Sequence, residues 1–271
     1  MAHTPQASQE PDKTTGLLSG AAPPDCRSEI IDFSRTQLPE YSGLFALFIH
    51  NLLTPAECNE LLNAAQSTSK WEQALVNVGG GRQILATEAR NCDRIILDDE
   101  VLAKRLLDRI LPHLPPEVVT LENKARITGN GPSRRKDVLR ITRLNERLRF
   151  LKYTRGMYFR EHCDGSYVTP DGKEISFVTV HLYLNGEVSN TEDDAVKYAQ
   201  REGRPVDQRP LQGGSTRFHS MNLQRYLDVF PQTGSCLVFQ HRGLLHSGDD
   251  VVQGTKYTMR TDVMYQKIEA E

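Results

Sequence analysis

Ile175-Ser-Phe-Val-Thr-Val-His-Leu-Tyr-Leu184 alternates in character with period two, and Thr179, His181 and Tyr183 share one of its faces. Strand side chains point to opposite faces in turn, so the run reads as a β-strand with one face available to a site. From Arg149 to Lys267 it is one of seven or eight strand-like segments, broken by Gly, Pro and Asp turns. The expected fold is α+β, mainly β: a double-stranded β-helix of jelly-roll or cupin-like type, whose inward side chains can enclose a ligand cavity.

Upstream of that strand stands Tyr153-Thr-Arg-Gly-Met-Tyr-Phe-Arg-Glu-His162-Cys-Asp164, answered far downstream by His246-Ser-Gly-Asp-Asp-Val-Val-Gln-Gly-Thr-Lys256. On a strand, His162 and Asp164 fall on one face and Cys163 on the other, so both can reach one metal while a third ligand comes from elsewhere. Two histidines and a carboxylate form a facial triad that leaves positions open on Fe(II), which suggests an oxygenase. His219 and His241 lack the spacing. Beyond His246, Gly254 to Tyr265 is rich in β-branched and aromatic residues, and Lys256, Thr258 and Arg260 share a face of that strand. A cation inside an apolar barrel requires an anionic partner, which the distal carboxylate of a dicarboxylic co-substrate would supply.

These motifs stand in a longer series. It comprises Leu53-Thr-Pro-Ala-Glu-Cys58, Asn91-Cys-Asp-Arg94, Tyr153 with Gly156, His162-x-Asp164-Gly165, Thr179-Val-His-Leu-Tyr183-Leu-Asn185, Gly213-Gly-Ser-Thr-Arg-Phe218, Pro231-x-x-Gly234-x-x-Leu-Val-Phe239 and His246-x-Gly248-x-x-Val251-x-x-Gly254-x-Lys256. In order and spacing the chain, from about Leu44 to Tyr265, resembles the Fe(II)- and 2-oxoglutarate-dependent oxygenases, in their prolyl 4-hydroxylase-like branch. The resemblance implies that His162, Asp164 and His246 are the iron ligands and catalytic centre. It implies that Lys256 pairs with the C5 carboxylate of 2-oxoglutarate, helped by the hydroxyls of Tyr153 and Tyr183. Arg260 is left open: it binds co-substrate in place of Lys256, holds an anionic group of the primary substrate, or pairs with Asp262 or another acid. The implied cofactors are Fe(II), 2-oxoglutarate as co-substrate and ascorbate as reductant, with dioxygen consumed. Because Asp164 is present, hydroxylation is expected rather than halogenation. The substrate class stays open among a small molecule, an amino acid and a prolyl or peptidyl residue. The rival reading is a non-catalytic metal-binding barrel acting as sensor or scaffold.

Composition sets the remaining bounds. A formal charge of -2 and a pI near 6.5 give no global pull toward nucleic acid or membrane, and no apolar run is long enough to span a bilayer. Cys26, Cys58, Cys92, Cys163 and Cys236 are odd in number and lack zinc spacing, so reduced thiols are expected. The first residues carry acids and no apolar h-region, so the expected location is cytoplasmic or nuclear. Residues 1–27 read as a disordered tail and 28–271 as one oxygenase domain, with its barrel core at about 149–267. A polar insertion at 186–213, partly helical near 193–201, reads as a lid or a disordered loop.

Thr54, Pro55 and Glu57 predict a capped helix running to about Ala65, after a strand at Leu44 to Ile49. A second helix is expected from about Asp98 to His113, with Val101, Leu102, Arg105, Leu106, Arg109 and Ile110 at three-to-four spacing. The basic stretch from Lys124 to Phe150 reads either as a lip for an acidic substrate or as a solvated face. Trp71 with Gly79-Gly-Gly81 reads as a mobile edge of the site or a plain hairpin.

Overall fold

The computed structural model describes residue 14 and residues 16–77, 82–186 and 210–268. The chain is mainly β, with few helices and two principal antiparallel sheets. In the larger sheet the strands Arg27–Ile30, Ala46–His50, Cys236–Gln240, Glu174–Tyr183, Lys256–Lys267, Arg147–Tyr153, Asp93–Asp98 and Glu72–Gln73 lie side by side, and Val138–Leu144 pairs with the far half of Lys256–Lys267. The smaller sheet runs Tyr226–Val229, Thr216–His219, His246–Gly248, Tyr158–His162 and Arg90–Asn91.

Lys256–Lys267 is the spine of the larger sheet, flanked by Glu174–Tyr183 on one edge and Arg147–Tyr153 on the other. The alternation at 175–184 has a direct structural meaning. Val178, Val180 and Leu182 pack into the main apolar core with the helices, while Thr179 and His181 face a cavity between the sheets. Ten strands are described between Arg147 and Lys267, more than the seven or eight expected. The surplus comes from pieces such as Gln212–Gly213 and Val251–Gln253, too short to show a period.

Helix α1, Pro55–Thr68, carries the expected capping box: Glu57 N–H donates to Thr54 Oγ1 at 3.2 Å and Thr54 N–H donates to Glu57 Oε2 at 2.8 Å. Helix α2, Glu100–Ile110, buries Leu102, Ala103, Leu106, Leu107 and Ile110 in the same core as Cys58 and Leu61 of α1. Val101 is exposed, contrary to the spacing, because the buried stripe is centred on Leu102, Leu106 and Ile110.

Part of the stretch read as a tail is packed against the rest of the chain. Arg105 of α2 donates to Leu17 O at 2.7 Å, Arg109 donates to Gly20 O at 2.9 Å, Leu18 is buried in the main core, and Arg27–Ile30 is a strand. The tail reading at 1–13 and 15, the Gly79–81 turn, and the helix and lid expected within 187–209 lie outside the described residues. The basic stretch is answered locally by acids: Arg147 with Asp98 at 2.9 Å, Arg143 with Glu174 at 2.8 Å and with Glu146, and Arg149 with Asp262 at 3.5 Å. All five cysteines are free, and no helix among the described residues is long and apolar enough to cross a membrane.

Candidate functional site

Strand pairing brings the two distant histidines together. His162 ends the Tyr158–His162 strand and is the cross-strand partner of His246, the first residue of His246–Gly248, after a register shift between Phe159 and His162. The imidazole centroids are 4.3 Å apart. Asp164 lies two residues past the strand end, so the expected continuous strand stops short of it. Its carboxylate is nevertheless buried, with Oδ1 at 3.6 Å from His162 Nε2 and Oδ2 at 3.8 Å from His246 Nε2. One ligand atom from each of the three residues lies within 4.8 Å of the others, a spacing that can hold one metal ion.

The chain fixes this arrangement from behind. His162 Nδ1 lies 2.7 Å from Arg160 O and His246 Nδ1 lies 3.0 Å from Leu244 O, so Nδ1–H donates to backbone in each and Nε2 is the nitrogen turned to the carboxylate. Thr179 donates to Asp164 Oδ2 at 2.6 Å, and Arg260 Nη2 lies 3.0 Å from Asp164 Oδ1. Burial alone would raise the Asp164 carboxyl, but Arg260 and the two imidazoles hold it well below the usual carboxylate range. Burial pushes His246 down to about 4 against the pull of Asp164, so its imidazole is neutral at pH 7.

The surrounding cavity takes walls from both sheets: Tyr153, His181, Phe239 and Lys256 from the larger, Arg90, Phe159 and Thr216 from the smaller. Its volume is about 40 Å³. Lys256 is 2 % exposed, with its ammonium 5.4 Å from the Tyr153 ring centre and 5.8 Å from that of Tyr183. Tyr153 borders the cavity. Tyr183 stands behind it, its hydroxyl donating to the cavity-lining Thr216 at 2.8 Å.

Arg260 reaches Asp262 at 3.3 Å as well as Asp164, so its charge is answered by two buried carboxylates. His181 lines the cavity and leaves Nε2 buried without a hydrogen-bond partner among the described residues; burial, then Lys256 and Arg260, press its pKa far down, so it is neutral. His219 donates to or accepts from Ser247 at 2.8 Å, and His241 sits 3.5 Å from Asp262, both away from the three converging ligands.

Sequence reasoning did not single out Phe159, stacked on His162 with centroids 3.7 Å apart, or Arg90, whose guanidinium carbon lies 4.6 Å from the Phe159 ring centre. No periodic signal marks either. Thr179 carried one, since it shares the face of His181 in the alternating strand.

The solved structures to which the chain is similar include prolyl hydroxylases. A viral collagen prolyl hydroxylase from Paramecium bursaria Chlorella virus-1, solved as a 2OG complex, is 19% identical at a TM-score of 0.45, covering 83% of this chain and 97% of its own. A Pseudomonas putida prolyl-4-hydroxylase is 14% identical at a TM-score of 0.47, covering 85% and 96%. A prolyl hydroxylase from Trichoplax adhaerens, in complex with a hypoxia inducible factor oxygen degradation domain peptide fragment, is 13% identical at 0.47, covering 80% and 82%. No protein-family model and no curated protein matches the chain. With likeness this distant, the functional reading rests on the side chains of the site.

Proposed function

We propose that the chain is an Fe(II)- and 2-oxoglutarate-dependent dioxygenase on a double-stranded β-helix core. It hydroxylates an unactivated C–H of a small molecule, amino acid or prolyl/peptidyl substrate and releases succinate and carbon dioxide. The observation that carries this reading is the convergence of His162, Asp164 and His246 in a cavity that also holds a buried lysine.

The residues present fit both groups. Two neutral-capable imidazoles with Nδ1–H tied to backbone, plus one carboxylate, are a donor set suited to Fe(II) with positions left open. Along the adjoining strands, His181 Nε2, Thr258 Oγ1 and Arg260 Nε are buried without hydrogen-bond partners among the described residues, and Lys256 brings positive charge; such a cradle suits a small anion.

Bound together, Fe(II) and 2-oxoglutarate would supply dioxygen activation coupled to decarboxylation of the diacid, with ascorbate as the expected reductant. The chain's own contribution is orientation. His162, Asp164 and His246 hold the metal, while Thr179 and Arg260 keep the carboxylate of Asp164 in place. Lys256 pairs with the C5 carboxylate beside Tyr153, and Tyr183 acts through Thr216. Of the roles open to Arg260, pairing with acids fits its two carboxylate contacts, which leaves the co-substrate to Lys256. Neutral His181 offers a ring nitrogen to bound ligand, and Phe159 and Phe239 keep water from the reacting centre.

The test is anaerobic titration of the Fe(II)-loaded protein with 2-oxoglutarate, in wild type and His162→Ala. A weak visible charge-transfer band in wild type, absent from the variant, is the expected result. A folded wild type that binds Fe(II) but gives no band and no succinate would point instead to a metal-binding scaffold.

A further inference from the structure

Arg90 is 9 % exposed and borders the cavity, yet no carboxylate of the described residues lies within ion-pair distance of it. Its contacts are Nε donating to Cys92 Sγ at 3.3 Å, Nη1 donating to Leu75 O at 3.4 Å, the Tyr153 hydroxyl, and the face of Phe159. Sulfur is a weak acceptor, the carbonyl contact is long, and none of the four is a carboxylate. Arg94, Arg109, Arg143, Arg147, Arg149, Arg160, Arg217, Arg225 and Arg260, by contrast, all meet carboxylates. A guanidinium taken out of water without an acid is costly, so the missing anion has to come from what enters the cavity.

Position says which anion. Arg90 lies over Phe159, and Phe159 stacks on His162, so the guanidinium flanks a metal-ligand candidate on the wall made by the smaller sheet. Lys256 stands on the larger sheet between Tyr153 and Tyr183. With Lys256 committed to the co-substrate, a second cation beside the metal position serves a second anion. The planar fork of a guanidinium matches a carboxylate.

We propose that Arg90 recognises the primary substrate, and that this substrate is a small molecule bearing a carboxylate rather than an uncharged residue within a peptide. This rests on the oxygenase reading and narrows its substrate class.

The experiment uses the full chain with zinc in place of iron and saturating 2-oxoglutarate, so that binding is read without turnover. Free amino acids and other small carboxylic acids, each beside its primary amide, are titrated calorimetrically into wild type, Arg90→Gln and Arg90→Lys. At least one acid is expected to bind wild type about tenfold or more tighter than its amide, the yield of one charge-assisted pair. Arg90→Gln should abolish that preference and Arg90→Lys keep part of it, with 2-oxoglutarate affinity unchanged in both. Three results overturn the proposal: no acid is preferred by wild type, the preference survives in Arg90→Gln, or both variants weaken 2-oxoglutarate instead. Should Arg90→Gln fail to fold, loss of 2-oxoglutarate affinity in folded Arg90→Lys, or full retention of the acid preference there, also overturns it. A wild type that binds no 2-oxoglutarate at all sinks the oxygenase reading itself and is seen before any probe is added.

Discussion

The residue with most depending on it is Asp164, whose two oxygens receive Thr179 and Arg260 while facing two imidazole nitrogens. Groups that orient a metal ligand act on metal affinity without touching the metal. Thr179→Val removes one donor at nearly constant shape, and Arg260→Met removes a charge-assisted one. Each is expected to weaken Fe(II) binding about 10- to 100-fold, read by competition with a coloured chelator. Lys256→Ala should behave in the opposite way, with metal affinity nearly intact and the 2-oxoglutarate requirement raised about 30-fold or more, because truncating one partner of a buried charge pair costs roughly 2–5 kcal/mol. Equal 2-oxoglutarate affinity in Lys256→Ala and wild type would refute the assignment. Lys256 and Arg260 sit four residues apart on one strand, so the sequence offered both as co-substrate residues. The contact of Arg260 with Asp164 and Asp262 is what sets it apart from Lys256 in the proposed assignment.

Among the elements, α1 shows what local sequence can and cannot reveal. Its start was legible because Thr54, Pro55 and Glu57 form a local code: a cap, a residue suited to the first turn, and a carboxylate reaching back. Glu57 also receives Arg109 Nη2 of α2 at 2.6 Å, a contact no helical period encodes. The two roles give a ranking. Thr54→Ala should lower stability by about 1 kcal/mol through loss of the cap. Glu57→Ala, which also strands a buried guanidinium, should lower it by about 3 kcal/mol or more. Urea unfolding of the two variants measures this, and equal losses would mean that the ion pair adds nothing. The docking of residues 16–27 escaped notice for a related reason, since Arg105 and Arg109 grip backbone carbonyls, which every residue has. The two-residue strand Arg90–Asn91 is likewise too short for alternation to show.

At the scale of the whole molecule, long strands were legible and their registry was not. Alternation at 175–184 fixes which side chains share a face, but only the shift between Phe159 and His162 sets His162 opposite His246. That registry buries ionisable groups between two sheets, and a consequence for stability follows. The His246 pKa falls from its ordinary value near 6.5 to about 4, first through burial, and that of His181 is also pressed far down. Between these values the unfolded chain binds protons that the folded chain refuses, so stability of the metal-free protein is full above about pH 6.5 and declines as pH falls toward 4. Asp164 acts in the same direction at lower pH, because its depressed carboxyl gives stability that is lost only below the ordinary carboxylate range. The His246 part alone is on the order of 3 kcal/mol. A metal bound to the folded state adds RT ln(1 + [L]/Kd), about 2.7 kcal/mol at one hundred times Kd, and this increment must shrink on acidification as protons compete for the same nitrogens. Urea midpoints from pH 8 to 4, with and without a divalent metal, in wild type and His246→Gln, test all of this together. The expected outcome is a metal increment present at pH 7 that shrinks as pH falls toward 4, and a shallower acid decline in the variant. A metal-free profile that stays flat from pH 6.5 to 4 would show that these histidines are not held neutral between the sheets.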